Sequence, residues 1–112
     1  MLPAGGTPAP QWPEDVRHFY SVLGGMPDAV CDRHLFRFWR KSELVAVSVI
    51  FPAQPWVGTC FCDWSVSALT YAFGPTGDPR VAIVDDQEPR FVALSFAEFL
   101  QRYADDDRRL YG

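Results

Sequence analysis

The sequence predicts an α+β domain: a central, mostly antiparallel β-sheet of four to six strands, with one helix before it and one after. Three observations carry this. An amphipathic stripe follows Pro13, a capping box opens a second stripe at Ser95, and the chain between them is a series of short apolar runs separated by turn residues. Two flanking helices leave too few crossovers for a parallel sheet.

Residues 1–11 are mainly Pro, Gly, Ala and Thr, a composition that builds no core, and are expected to form a flexible tail ahead of a single domain over 12–112. Val16, Phe19, Tyr20 and Leu23 then fall at i, i+3, i+4 and i+7. Pro13 suits the first helical position, where its missing N–H is no loss. Glu14 and Asp15 complement the positive end of the helix dipole. Gly24 and Gly25 admit the left-handed conformation of a C-terminal cap.

After a loop over Met26–His34, Leu35–Trp39 reads as a short aromatic strand. Leu44–Phe51 reads as a strand whose two alternating sets, Val45/Val47/Val49/Phe51 and Ala46/Ser48/Ile50, suggest cover on both faces. Pro52 and Pro55 close it, since neither donates to a ladder. Gly58–Trp64 and Leu69–Phe73 are two further strands, and residues 74–79, GPTGDP, are turn chemistry. Val81–Val84 and Phe91–Ala93 form a hairpin around Asp85–Pro89.

The closing helix has the clearest signature. The Ser95 hydroxyl is placed to accept the Glu98 N–H while the Glu98 carboxylate reaches back to the Ser95 N–H, with Leu94 and Phe99 at the positions of a hydrophobic staple. Phe96, Phe99, Leu100 and Tyr103 make the apolar stripe. Asp105–Asp107 oppose the negative end of the dipole, so the helix should stop near Ala104.

The chain has 112 residues, 48% of them hydrophobic and 15% aromatic, which is ample for one core. A net charge of −4 argues against nucleic acid, because a phosphate-binding surface needs clustered cations. The one local basic run, Arg33, Arg37, Arg40 and Lys41, reads as solvated rim. No signal peptide is visible at the N-terminus, and no run is long enough to span a bilayer. Three cysteines without an export signal point to a reducing, cytoplasmic setting.

Catalytic chemistry leaves few traces. Neither His18 nor His34 has a nucleophile–base partner in sequence, and Asp85, Asp86 and Glu88 sit in a turn where carboxylates are ordinarily just solvated. Cys31, His34, Cys60 and Cys62 form a Cys3His complement that zinc would accept. Cys60 and Cys62, however, stand two residues apart in an extended run, about 6.6 Å at strand rise, too far for shared tetrahedral coordination. Buried thiols acting as small hydrophobes are the favoured reading, and no cofactor is expected. Among the tryptophans, Trp39 and Trp64 fall in strands and are expected in the core. Trp56, in the FPAQPWVG loop, is expected as an exposed contact.

Three stretches resemble the SUKH superfamily, which includes yeast cell-wall assembly regulators and many bacterial immunity proteins. They are Asp15–Tyr20 with Gly24-Gly25; Leu35–Trp39 leading through Ser42–Leu44; and Phe61–Trp64, Ser67–Ala72, Val81–Val84, then Leu94–Leu100 with Tyr103. The resemblance covers most of residues 15–111, with a short N-terminal part and Cys62 where a smaller residue is usual. It implies a non-catalytic binding domain, an immunity protein that neutralises a cognate bacterial toxin, many such toxins being nucleases with basic clefts. By that resemblance Trp56, Asp63, Asp85, Asp86 and Glu88 are the partner contacts, although an internal hydrogen bond in the sheet is an equal role for Asp63. The alternative is a regulatory or scaffold module in a stress or cell-envelope pathway, which the same fold serves.

Overall fold

In the computed structural model the described residues are 12–23, 25, 32 and 34–111. The expected tail at 1–11, Gly24, most of the loop before His34, and Cys31 and Arg33 lie outside them. The first helix, α1, runs Glu14–Val22, opened by Arg17 N donating to Pro13 O at 2.9 Å. Pro13 is thus the cap residue, one position ahead of its expected place. Val16, Phe19 and Tyr20 are buried. Gly25 has φ +84°, but its other constraint is tertiary: a Cβ there would stand 2.3 Å from Trp39 O.

Six strands follow: β1 Phe36–Phe38, β2 Val45–Ala46, β3 Thr59–Trp64, β4 Leu69–Phe73, β5 Val81–Val84 and β6 Arg90–Ala93. They form one antiparallel sheet in the order β1-β3-β4-β5-β6, with β2 pairing the first half of β3 and β1 the second half. The α+β class expected from the sequence is what the chain adopts.

One expected strand is corrected. Only Val45–Ala46 of the Leu44–Phe51 run is extended; Val47–Ile50 forms a single helical turn, α2. Val47 N donates to Gly58 O at 2.9 Å and Phe51 N to Val47 O at 2.8 Å, which turns the chain off the sheet edge. The turn lays Val47 and Phe51 onto the sheet beside Cys60, Ala72, Ala82 and Val84. Val49 is left 68% exposed. Burial of that apolar pair outweighs the β-preference of the branched residues.

The last helix, α3, spans Phe96–Ala104, followed by a 3₁₀ turn at Arg108–Tyr111. Ser95 Oγ accepts Glu98 N at 3.0 Å as expected, but the Glu98 carboxylate accepts from Leu94 N at 2.9 Å rather than from Ser95. Leu94 is 69% exposed, so the expected staple contributes little.

Side-chain alternation gives the sheet two covered faces. On one, Phe36, Phe38, Phe61, Tyr71 and Phe73 meet Phe19 and Tyr20 of α1 and Phe96 and Phe99 of α3 in an aromatic core. Rings meet at tilted and edge-on angles, such as Phe61–Phe99 at 5.3 Å and 80°. On the other face the sheet residues are small, Cys60, Ala72 and Ala82, and the space they leave holds Val47, Phe51, Trp56 and Trp39. All four β5 residues are buried as a result.

Two local irregularities shape the surface. A bulge in β3 falls between Cys60 and Cys62, placing Phe61 and Cys62 together in the aromatic core and Cys60 on the opposite face. The β3–β4 turn holds Ser65, Val66 and Ser67 successively at φ +53°, +53° and +66°. This left-handed geometry costs an L-residue about 1–2 kcal/mol per position.

Candidate binding surface

The β5–β6 turn carries Asp85, Asp86 and Glu88, and its backbone is anchored from beneath. Gln54, only 6% exposed, sends its amide N–H groups to Asp85 O, at 2.9 Å, and to Gln87 O. Its own oxygen accepts Trp56 N at 3.0 Å. Asp85 Oδ1 accepts Gln87 N at 2.8 Å, and Arg90 stands 3.8 Å from Asp85 Oδ2. Asp86 and Glu88 remain exposed on this fixed loop. A buried amide bonded to two of the loop's carbonyls restrains its backbone and leaves its carboxylates in solvent.

Trp56 is half-buried rather than open. Its Nε1 donates to Asp78 Oδ2 at 3.1 Å, and its ring meets Phe91 edge-on at 5.4 Å. Arg80 bonds both Asp78 oxygens at 2.9 Å and lays its guanidinium 3.8 Å above Phe91. The hydrogen bonds from Arg80, helped by Trp56, outweigh partial burial and hold the Asp78 carboxyl well below its ordinary value. Phe91, 41% exposed, is the accessible aromatic of this cluster. In sequence it passes for hairpin core, yet the first half of β6 (Arg90, Phe91) is exposed while Val92 and Ala93 are buried, with a register shift between Val81 and Ala82 opposite.

Asp63 faces inward and is 7% exposed. It accepts Trp39 Nε1 at 2.6 Å and Ser67 N at 3.3 Å. This is the internal hydrogen bond that the sequence leaves open for it, and the structure does not bring Asp63 together with Asp85, Asp86 and Glu88 on the surface. Trp39 and Trp64 are partly buried against the two cores, Trp64 Nε1 donating to His34 O at 2.9 Å.

The proposed metal complement is separated by the bulge: Cys60 and Cys62 lie on opposite faces of the sheet. Burial pushes the Cys60 thiol up to about 12 and raises Cys62 as well, where Asp63 and Asp32 add to the effect. Among the described residues no group of three or more His, Cys, Asp or Glu is placed to hold a metal ion. His34 instead lies 3.9 Å from Asp106. Two residues of the basic run are tied inward: Arg37 bonds both Glu43 oxygens at 2.7 and 2.8 Å, and Arg40 Nε bonds one at 3.2 Å.

A groove of about 640 Å³ between α1 and α3 is lined by His18, Phe19, Pro79 and Leu100, among others. Among the described residues no helix is long and apolar enough to cross a membrane. The fold and this surface define an α+β domain with a twice-covered antiparallel sheet and an anchored acidic turn. No known protein family, curated protein or solved structure matches the chain.

Proposed function

We propose that the chain is a non-catalytic binding domain of the SUKH type, acting as an immunity protein that neutralises a cognate toxin by direct, stoichiometric binding in the cytoplasm. The observation that carries this reading is the Asp85–Glu88 turn, held by the buried Gln54 amide while its carboxylates point to solvent. An ordered acidic loop loses little freedom on docking, and its charge speeds association with a basic cleft such as a nuclease presents. The half-buried Trp56 and the exposed Phe91 add aromatic area of the kind that anchors interfaces.

Affinity capture of the tagged chain from its native cells, with co-expression of whatever is captured, tests this. A single stoichiometric partner whose toxicity the chain abolishes is the expected result. Several substoichiometric partners, none of them toxic, would favour the scaffold or regulatory module instead.

A further inference from the structure

We propose that the end of the sheet carrying the β3–β4 and β5–β6 turns is the partner-facing surface, and that it docks a basic protein surface containing an apolar socket for Val66. This rests on the binding reading above and adds the anchor residue and the chemistry of the partner.

The strand register brings these turns together. Phe36 pairs with Trp64, Trp64 with Leu69, Thr70 with Val84, and Ile83 with Arg90. Leu35, the Ser65–Ala68 turn and the Asp85–Pro89 turn therefore project from the same end. The two turns are separated by two strand spacings, roughly 10 Å.

Val66 is 91% exposed, more than any other large apolar side chain among the described residues, and it sits at φ +53°. Neither burial nor backbone preference accounts for a valine there. It packs against little, and a left-handed position favours Asn or Gly over a β-branched residue. Leu35 repeats the pattern beside it, 45% exposed at φ +71°, and its carbonyl accepts Ser65 N at 2.9 Å. Ser67 N is bonded to the buried Asp63. Two apolar side chains are thus held outward on a backbone that hydrogen bonds lock from both sides, so docking orders little that is not ordered already.

The surroundings choose the occupant. Asp85, Asp86 and Glu88 flank the apolar tip on one side, and Asp106, near His34, on the other. Arg90 offsets Asp85 only at 3.8 Å, and Arg109 is engaged by Asp107. An acidic rim around an apolar tip repels phosphates, anionic lipid and a second copy of itself, and complements a socket bordered by Lys and Arg.

The probe is a phage-displayed library of random peptides panned on the immobilised full chain. Selected peptides are synthesised and titrated against wild type, V66N, D86K/E88K, and V57N, which alters another exposed valine at the opposite end of β3. Enriched peptides should join Lys or Arg to a bulky apolar residue. They should lose roughly tenfold or more in affinity for V66N and for D86K/E88K, and bind V57N as they bind wild type. V66N should itself melt roughly 4 °C higher, since Asn accepts the left-handed backbone, so lost binding cannot be ascribed to unfolding. Acidic or neutral consensus peptides, undiminished binding to V66N, or no enrichment over the unfolded chain would each overturn the proposal. A captured toxin that binds V66N and D86K/E88K as tightly as wild type would overturn this surface yet leave the immunity reading standing. Peptides of the expected pattern without any toxin partner would do the reverse.

Discussion

Trp39 Nε1 donates to Asp63 Oδ2 at 2.6 Å, tying the residue that follows β1 to the end of β3. The same carboxylate accepts Ser67 N, so one inward-facing charge holds both a core tryptophan and the left-handed β3–β4 turn. Asp63→Ala would leave an indole N–H and a backbone N–H short of an acceptor. The expected loss is about 2–3 kcal/mol, with Trp39→Phe costing nearer 1 kcal/mol. In denaturant unfolding the double variant should lose less than the sum of the two, because the interaction is shared. An Asp63→Ala chain as stable as wild type would show that the bond contributes nothing.

Asp15 bridges the two terminal helices. Its Oδ2 accepts Ala97 N at 3.0 Å, satisfying an N–H in the first turn of α3 that has no partner inside that helix, while Ser95 serves the N–H of Glu98. Asp15→Ala and Ser95→Ala should each cost about 1 kcal/mol, and the double variant less than the sum, since both cap the same end of α3. Urea midpoints of the single and double variants check this. A neutral Asp15→Ala would show that the carboxylate stabilises neither helix.

These two contacts mark where sequence reading reaches its limit. The stripe of Val16, Phe19 and Tyr20 and the Ser95 cap were legible because a helix period and a capping motif are local. So were the strand segments around Phe36–Phe38, Leu69–Phe73 and Val81–Val84, each bounded by turn residues. Asp15 reads as a dipole partner of α1, and nothing near it in sequence reveals that it caps a helix more than eighty residues away. The Leu44–Phe51 run is apolar on both alternating sets, so its period cannot distinguish a strand from a buried turn, and packing on Cys60 and Ala72 decided for the turn. The bulge at Phe61 carries no glycine to announce it. Of the surface, the acidic turn was visible as composition; its anchor Gln54, and the exposure of Phe91 and Val66, depend on register and long-range contacts.

The bulge makes a chemical prediction. Cys60 and Cys62 are fully buried on opposite faces, and burial raises both thiols, so the thiolate fraction at neutral pH is negligible. Native chain treated with iodoacetamide at pH 8 should leave both unmodified, as read by mass mapping of the peptide containing them. Denaturant should expose both together. Rapid native labelling of either would contradict the burial assigned to β3.

Acid should weaken the domain through Glu43. Burial alone would raise its carboxyl, but hydrogen bonds from Arg37, the Arg40 backbone and the Arg40 side chain together outweigh that, holding it at about 2 against an ordinary 4.5. A depressed carboxyl contributes its full stability above 4.5, and that contribution is lost as pH falls from 4.5 through about 2. The side chain is a quarter exposed, so solvent screening brings the expected contribution down to on the order of 2 kcal/mol. Glu43→Gln should therefore be less stable than wild type by about that amount at pH 7, with the gap narrowing steadily below pH 4.5. Asp78, lowered chiefly by Arg80, and Asp107, lowered chiefly by Arg109, both remain in the variant, so Glu43→Gln should still lose stability in acid, only less steeply. Urea unfolding of both chains at pH 7, 4 and 2.5 isolates the Glu43 contribution as the gap between them. A gap that stays constant across that range would mean that the Arg37–Glu43–Arg40 cluster acts through its shape and not through its charge.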